Sequence, residues 1–404
     1  MLADGEILMR ITPATELTSR ISKLQEEMQS TGVEAILIIQ NADLFYFTGS
    51  IQQGLLYIPV ENEPIYMVRK DHGRARMESG LKHVVPLKSP KEITGILADH
   101  NYPVPSRAGM EFDVLPVATY NRFARVFPGC EMVDASHLIR TVRAVKSEYE
   151  LSILKDASLL VGRAHRRARE VIREGVTDFE VAAELEYEMR KAGHQGMIRM
   201  RGFNSELFYG HIFSGPDSAV PTYSDTPLGG MGVNPSFPQG ASYKTIKANE
   251  PIVIDIGGVF DGYIVDQTRM FCVGGLSDEL VRAFEDMKQI QAHAISIAVP
   301  GTTWGKVYDS CYEMAAELGY GNHFMGAEGA RVSFIGHGVG IELDEYPFIA
   351  RGFDDNELLR NMVFAFEPKV VYPGVGAIGI ENTFWVAEDG LKYITAADED
   401  LVVV

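Results

Sequence analysis

The sequence is poor in cysteine and contains no long apolar run. Its three cysteines, Cys130, Cys272 and Cys311, are odd in number and widely spaced, which argues against a disulfide framework and against a thiolate zinc site. No stretch of about eighteen apolar residues occurs, and the first residues lack a basic segment followed by an apolar one. We therefore expect a cytoplasmic protein in a reducing compartment, with no membrane partner.

Basic residues are also in short supply, with 37 Lys and Arg against 55 Asp and Glu and a formal net charge of −18. A protein that binds the phosphate backbone depends on clustered Lys and Arg, so nucleic acid is excluded as an expected partner. The length of 404 residues and the hydrophobic content of 46% exceed what one ordinary core needs. Two domains are therefore expected.

The first part of the chain alternates helical and strand patterns. The predicted elements are helices over 16–31 and 72–80 and strands over 35–39, 54–59, 64–68 and 82–87. Such alternation is typical of an α/β domain. The pattern changes near residue 143, where long helical periodicity begins, so we place the domain boundaries at 1–143 and 144–404.

The second part separates its helices from its strands, which indicates an α+β domain. Helices are predicted up to residue 173 and over 178–192, 277–298 and 304–318, and strands over 251–258, 262–273 and within 362–386. A stretch rich in Gly, Pro and Ser runs from 215 to 240.

Two acidic residues lie in neighbouring predicted strands of this second domain. Asp255 follows three apolar residues, and Asp266 lies in the next strand, beyond the turn signal Asp261-Gly262. An antiparallel hairpin can bring both carboxylates to one side of the sheet. Because a charge among apolar residues is costly unless something compensates it, these positions call for a partner.

A second pair of acids repeats the arrangement, with Glu367 after one apolar segment and Glu381 after another. His337, between two glycines, offers a neutral nitrogen ligand. Four carboxylates balance two divalent cations, and oxygen-rich ligation with one imidazole suits Mn, Co, Fe or Zn. Taken singly, each element also fits a turn, a structural histidine or an edge strand with inward charges, and only the ordered combination favours a metal site.

The order of these motifs resembles the pita-bread family of creatinase, prolidase, aminopeptidase P and methionine aminopeptidase. The segments around Tyr46-Phe-Thr-Gly49 and 143–150 are similar to the creatinase-type amino-terminal domain and its linker. The resemblance implies an α+β pita-bread domain preceded by an α/β creatinase-type amino-terminal domain. It also implies a homodimer. Methionine aminopeptidase is disfavoured, because it lacks the large amino-terminal domain.

The resemblance further implies a dinuclear metal hydrolase. Asp266 and Glu381 would bridge two ions, Asp255 would hold one of them, and His337 with Glu367 would hold the other. A water between the ions would become hydroxide near neutral pH, and Glu367 would accept its proton.

The sequence departs from the family at three pocket positions that hold histidine in the family's peptidases. These positions are Thr222 (in Pro221-Thr-Tyr223), Ser333 and Asp344, which together with Tyr223 we expect in the substrate pocket. His211 is the nearest candidate for a proton shuttle, although a histidine on an apolar strand is commonly only hydrogen-bonded in the core. Asp344 is expected either to receive a cationic substrate group or to act as a solvated or capping residue.

Residues 224–240 form an insertion between the Pro221–Tyr223 segment and the strand of Asp255. Long insertions with Gly and Pro are often functional, so its part over 229–240 is expected to be a pocket-covering loop, with a surface excursion or a dimer contact as the alternative. The segment lacks the Gly-Lys-Ser/Thr ending of a phosphate loop.

Three functions compete. The leading one is a peptidase acting on Xaa-Pro bonds of small peptides. The second, favoured by the three missing histidines, is a hydrolase or lyase for a small non-peptide nitrogen compound, resembling creatinase or ectoine hydrolase. The third is a binding protein without catalysis, which the retained five ionisable residues oppose because burying them without metal is costly.

Overall fold

The computed structural model describes residues 9–395 and 398–404, which divide into two compact units, Met1–Arg143 and Ala144–Val404. Across the described residues, no helix combines the length and the apolar character that a membrane crossing requires.

The first unit is built on a six-stranded mixed sheet in the order β4-β3-β2-β1-β5-β6. Its strands are β1 (Ala35–Ile38), β2 (Gly54–Pro59), β3 (Ile65–Val68), β4 (His83–Pro86), β5 (Arg107–Met110) and β6 (Glu131–Asp134). Its helices are α1 (Ala14–Gln29), α2 (Asn41–Thr48), α3 (His72–Glu78), α4 (Ile93–Asp99), α5 (Val117–Ala124) and α6 (Ser136–Ala144). The central strand β1 is buried along its whole length, which explains its continuous apolar sequence. The predicted α/β character of this region is confirmed.

The second unit contains sheets of five, four and two strands, in the orders β11-β10-β12-β15-β16, β17-β9-β8-β7 and β13-β14. Its strands are β7 (Gly210–Ser214), β8 (Ile252–Phe260), β9 (Tyr263–Cys272), β10 (Phe334–Val339), β11 (Leu343–Ala350), β12 (Val363–Phe366), β13 (Lys369–Tyr372), β14 (Gly376–Gly379), β15 (Asn382–Ala387), β16 (Gly390–Tyr393) and β17 (Val402–Val403). Its helices are α7 (Glu148–Val171), α8 (Asp178–Lys191), α9 (Asp278–Ile297) and α10 (Trp304–Glu317).

Local sequence signals explain where the long helices begin. Ser147 and Glu150 form a capping box at the start of α7, and Thr177 and Glu180 form another at the start of α8. The apolar face of α7 packs on β8 and β9, the strands that carry the first two acids. Helix burial thus supports the back of the hairpin whose front carries the ionisable residues.

The hairpin of β8 and β9 has the predicted antiparallel pairing. Phe260 pairs with Tyr263 across a two-residue turn, in which Asp261 and Gly262 both adopt positive φ angles of 46° and 87°. The register places Asp255 opposite Thr268 and Asp266 opposite Gly257. Since side chains two residues apart share a face, both carboxylates point to the same side, as expected.

The region 362–386 is more divided than the predicted hairpin. β12 pairs with β15 in the large sheet, whereas the intervening β13 and β14 pair with each other as a separate ribbon. Strand β11 follows β10 and was not predicted. Its sequence hides the alternating burial of its residues, because it contains Pro347 and the run Asp344-Glu345-Tyr346. The practical result is that Glu367 and Glu381 lie where the chain leaves one sheet and enters the other.

The strand β7, which carries His211, is tied to helix α8 through a buried carboxylate. Asp178 accepts hydrogen bonds from the backbone N–H of Ser214 (3.1 Å) and from its hydroxyl (2.7 Å). Burial raises the pKa of Asp178 from 3.8 to about 6, against the lowering effect of the Ser214 hydrogen bonds and of Lys244. This carboxyl therefore binds a proton more tightly in the folded than in the unfolded protein.

Replacing Asp178 by asparagine should change how stability depends on pH. Between about pH 4 and pH 6 the folded wild type binds more protons than the unfolded chain, so its free energy of unfolding falls as pH rises. Relative to Asp178→Asn, the wild type should lose up to about 3 kcal/mol between pH 4 and pH 7. Urea unfolding followed by tryptophan fluorescence reports this unit, because both tryptophans, Trp304 and Trp385, lie in it. A difference independent of pH would contradict the raised pKa, and Asp389→Asn, at an exposed position, is the control.

Candidate metal centre

Five ionisable residues from different elements line one cavity of about 850 Å³. Asp255 and Asp266 come from β8 and β9, and His337 comes from β10. Glu367 follows β12 directly, and Glu381 directly precedes β15. The structure thus brings together every residue that the sequence suggested as a metal ligand.

Three of the five residues are arranged as ligands of one ion. Ligand atoms of Asp266, His337 and Glu381 all lie within 4.8 Å of one another, and all three residues are buried. His337 Nε2 lies 3.7 Å from Glu381 Oε1 and 3.6 Å from Glu367 Oε1, which is too long for hydrogen bonds. At this spacing the imidazole nitrogen and the carboxylate oxygens can bind a cation between them, whereas they are too far apart to form hydrogen bonds with one another.

Lys369 lies inside the cluster, although sequence analysis did not single it out. Its ammonium Nζ is 3.0 Å from Asp255 Oδ2, 2.5 Å from Glu367 Oε2 and 3.1 Å from Glu381 Oε2. The available signal was its position two residues after Glu367 at the start of a strand, because side chains at that spacing point the same way. Lys369 therefore belongs to the charged cluster together with the acids.

Burial and mutual repulsion make the carboxylates hard to ionise together. Burial raises the pKa of Asp255, of Asp266 and of Glu367, the last to about 7, and the neighbouring Glu381 raises all three further. Burial also opposes ionisation of Glu381, but Lys369 and His337 hold its pKa below the ordinary value. The cluster therefore retains protons unless more positive charge is supplied, and a divalent cation would displace those protons.

The pKa values of the two basic residues in the cluster, His337 and Lys369, are also raised. Burial alone would lower the pKa of His337, but Glu381, Asp344 and Glu367 beside it raise the value to about 10. Burial likewise disfavours the ammonium of Lys369, yet the pKa of Lys369 rises well above its usual value because of Asp255, Glu367 and Glu381. Without a metal ion, protons on these groups balance part of the negative charge.

Glu381 provides the test of whether the residues fit a metal. Its Oε1 is buried and has no hydrogen-bond partner among the residues that the structure describes, although a buried unpaired carboxylate oxygen is costly. The same atom faces His337 Nε2 and belongs to the group of Asp266, His337 and Glu381. These three side chains, two carboxylates and one imidazole, therefore fit one divalent ion in chemistry and position.

Arg269 positions Glu381 from behind the sheet and is a second residue without a predicted role. Its guanidinium donates to the carbonyl oxygens of Thr268 (2.8 Å) and Glu381 (2.9 Å), to Asn382 Oδ1 (2.8 Å) and to the Asp398 carbonyl (2.9 Å). On the other face, Thr268 donates its hydroxyl to Glu381 Oε2 at 2.7 Å. The carboxylate of Glu381 is thus held through both its backbone and its side chain.

The predicted substrate-pocket residues do not all lie in the same cavity. Tyr223, Ser333 and Asp344 line the cavity that holds the acids, and Asp344 Oδ1 lies 3.5 Å from His337 Nδ1. Thr222 instead lines a neighbouring cavity of about 280 Å³, and its hydroxyl donates to the Pro238 carbonyl. Thr222 therefore contributes to the shape of the loop, and the structure does not place it beside the acids.

His211 lies beside the acids, on β7 directly opposite Asp255 in the strand pairing, and lines the same cavity. Its Nε2 is buried, and nothing within the described ranges 9–395 and 398–404 forms a hydrogen bond with it. Burial, assisted by the charge of Lys369, lowers the pKa of His211 to about 4, so the imidazole is neutral near pH 7. A neutral imidazole can donate one hydrogen bond and accept another, but it does not supply a positive charge to the site.

Part of the insertion 224–240 borders the cavity. Ser224, Thr226 and Gln239 line it, and Gln239 donates to the carbonyl of Glu206, which lines it as well. Gly240 approaches the His211 ring so closely that a Cβ there would lie 3.0 Å from the imidazole Cδ2. The insertion thus contributes Ser224, Thr226 and Gln239 to the cavity wall, and a covering role for 229–240 stays a prediction.

Comparison with known proteins accounts for almost the whole chain. Residues 152–388 match the model of metallopeptidase family M24, and residues 20–145 match that of the creatinase/prolidase N-terminal domain. The Xaa-Pro dipeptidase of Pyrococcus furiosus is 28% identical over 388 residues, which cover 96% of this chain and all of that protein.

Solved structures give the same picture. The prolidase from Pyrococcus horikoshii OT3 superposes with a TM-score of 0.78 at 26% identity, covering 95% of this chain and all of that one. The Xaa-Pro dipeptidase from Bacillus anthracis superposes with a TM-score of 0.81 at 23% identity, covering 96% and 100%, which shows likeness of fold. These matches confirm the predicted α+β pita-bread domain with its creatinase-type amino-terminal domain.

Proposed function

Because the chain belongs to metallopeptidase family M24 and is a metal-dependent hydrolase, we propose that it cleaves Xaa-Pro dipeptides. The observation that carries the proposal is the cavity, which holds the three-residue ligand group together with Glu367 and His211. Support also comes from relatives named Xaa-Pro dipeptidases that match this chain over nearly its full length. A small peptide fits a cavity of this size, about 850 Å³.

The residues divide the chemical work between binding and proton transfer. Asp266, His337 and Glu381 would hold a divalent ion, which when bound supplies Lewis acidity toward a carbonyl and lowers the pKa of water. Glu367 is the proton acceptor, because its carboxylate lines the same cavity as the three-residue ligand group and its Oε1 lies 3.6 Å from His337 Nε2. The roles of Asp255 and of a second ion depend on Lys369, which contacts Asp255 directly.

The proposal is tested by loading metal-stripped protein with Mn, Co, Fe or Zn in turn. Proline release is then measured from a panel of Xaa-Pro dipeptides and of longer Xaa-Pro peptides, with Glu367→Ala as the blank. We expect metal-dependent release from dipeptides that disappears in the blank. Metal binding without release from any peptide would overturn the peptidase proposal.

A second candidate is hydrolysis or lysis of a carbon–nitrogen bond in a small non-peptide compound. The observation that favours it is Asp344, which lines the cavity next to His337 with its side chain 35% exposed. A carboxylate there suits an ammonium or guanidinium group, and it stands where the resembling peptidases have histidine. Turnover of amidine, ureido or cyclic amide compounds, with no peptide cleavage, would establish this alternative.

A homodimer, implied by the resemblance, and a cytoplasmic location, expected from the sequence, stay predictions.

His211 is proposed to orient the substrate as a neutral hydrogen-bonding group. His211→Phe should lower kcat/KM about ten- to a hundredfold, the loss expected for one hydrogen bond made in the transition state. Because the pKa of His211 is about 4, the pH profile of kcat/KM between pH 6 and 8 should keep its shape. Steady-state kinetics over that range test this, with His293→Phe, on α9 and outside the cavity lining, as the control. If the wild-type pH profile of kcat/KM showed a transition near pH 6.5 that is missing from the profile of His211→Phe, the imidazolium would participate in the reaction.

A further inference from the structure

The ammonium of Lys369 contacts three carboxylates that come from three different elements. Asp255 lies on β8, Glu367 follows β12, and Glu381 precedes β15, and Nζ is within 3.1 Å of an oxygen of each. Three acceptors gathered around one cation form a coordination-like site. A second metal ion bound by Asp255 Oδ2 together with Glu367 Oε2 or Glu381 Oε2 would need the oxygens that Lys369 contacts.

The two oxygens of Glu381 have different surroundings. Oε2 accepts from the Lys369 ammonium and from the Thr268 hydroxyl, at 3.1 and 2.7 Å. Oε1 faces His337 and, within the described part of the chain, has no hydrogen-bond partner. A carboxylate that bridges two metal ions offers one oxygen to each, whereas here one oxygen is already paired with a cation of the protein.

We infer that the ammonium of Lys369 takes the place of one of two metal ions, so that the centre binds a single divalent ion. That ion lies among Asp266, His337 and Glu381. The inference rests on the proposed metal-dependent function of this site. It replaces the dinuclear centre that the resemblance implied.

The positions of the charges favour the single ion. Lys369 and one divalent ion leave the four carboxylates with a net charge of −1, and Lys369 and two divalent ions leave a net charge of +1, so the totals do not decide. A second ion on the oxygens that Lys369 contacts would lie next to the ammonium in a buried site. Like charges this close repel each other strongly in a buried site, where solvent and salt screen them little.

The fold has room built in for the lysine stem. Lys369 opens β13 and pairs with Gly379 on β14, and a Cβ at Gly379 would lie 2.4 Å from Lys369 Cγ. The side chain of Lys369 is only 1% exposed, so its whole stem is packed inside the protein. Moving it aside to admit a second ion would require a new place for a buried cation.

Metal stoichiometry tests the inference without relying on activity. Metal-stripped wild type is titrated with Mn²⁺ by calorimetry, the bound metal is counted by mass spectrometry, and the bound Mn²⁺ is examined by electron paramagnetic resonance. We expect one equivalent per chain and the six-line spectrum of an isolated Mn²⁺ ion. Two equivalents with a spin-coupled spectrum would overturn the inference and leave the proposed function intact. No bound Mn²⁺, Co²⁺, Fe²⁺ or Zn²⁺ would overturn both.

A charge-removing variant strengthens the test. Lys369→Met keeps the length of the stem and frees three carboxylates, so it should bind two equivalents of Mn²⁺ and show spin coupling. Lys244→Met is the matched control, because Lys244 pairs with Glu250 at 2.5 Å and lies outside the cluster; it should bind one equivalent. Folded Lys369→Met that still binds a single ion would contradict the inference, and if this variant does not fold, the wild-type stoichiometry decides.

Discussion

Glu381→Gln is expected to abolish hydrolysis while leaving the protein folded. Glutamine keeps the shape of the side chain and can still accept from Thr268, but it removes the negative charge that faces His337 and Lys369. Changes to groups that merely support a metal ligand already cost ten- to a hundredfold, so loss of the ligand itself should lower kcat/KM on the order of 10³-fold or more.

The measurement pairs kinetics with metal content. Proline release from the best Xaa-Pro dipeptide is compared for wild type, Glu381→Gln and the surface control Glu388→Gln, whose native side chain is 88% exposed. Circular dichroism checks that each variant is folded, and metal analysis after dialysis should show that Glu381→Gln alone has lost its ion. A variant that retains more than a tenth of wild-type activity would show that Glu381 is not a ligand.

Arg269→Met should be the most destabilising single change near the centre. The substitution leaves carbonyl oxygens of Thr268, Glu381 and Asp398 and the side chain of Asn382 without their donor. Each buried acceptor left unpaired costs about 1–3 kcal/mol, so the free energy of unfolding should fall by about 3 kcal/mol or more. Burial lowers the pKa of Arg269 to about 10, yet the guanidinium remains charged at neutral pH and continues to donate.

Urea unfolding followed by tryptophan fluorescence measures this effect in the unit that contains Arg269. Arg360→Met is the control, because the native side chain is 64% exposed and its ion pair with Glu388 is 4.0 Å long. Arg269→Lys should recover only part of the loss, since an ammonium cannot reproduce the planar fork of donors. If Arg269→Met were as stable as Arg360→Met, the hydrogen bonds of the guanidinium would not be supporting the sheet.

The same variant separates positioning from simple structure. Because Arg269 holds the backbone at Glu381, the folded fraction of Arg269→Met should bind its metal ion ten- to a hundredfold more weakly. A merely structural residue would lower stability and leave metal affinity unchanged. Titration with Mn²⁺ under conditions where the variant is folded distinguishes the two.

Much of the architecture could be predicted from local patterns. The Asp261-Gly262 turn and the two apolar strands around it determine the hairpin of Asp255 and Asp266, because a two-residue turn of this type sets the strand register. Ser147 and Thr177 mark the starts of their helices through side-chain caps. Such features depend on a few neighbouring residues, and local sequence therefore carries them.

Pocket membership was harder to predict. Thr222, Ser333 and Asp344 are grouped by the resemblance, as the positions where the family's peptidases have histidine, yet Thr222 lines a separate cavity and its hydroxyl donates to the Pro238 carbonyl in the insertion. Where an inserted loop packs depends on the surface that receives it. Sequence spacing alone does not contain that surface.

The family resemblance, the two-domain expectation and the five residues that gather in the cavity could be read from the sequence, because those residues lie in or directly beside strands with strong apolar and turn signals. Which cation each carboxylate contacts depends on the tertiary fold. Lys369 reaches Asp255, Glu367 and Glu381, and in sequence it lies 114 residues from Asp255. Folding determines electrostatic partners of this kind, since it brings Lys369 within 3.1 Å of carboxylates that are distant in sequence, and buried charges are costly unless they are paired.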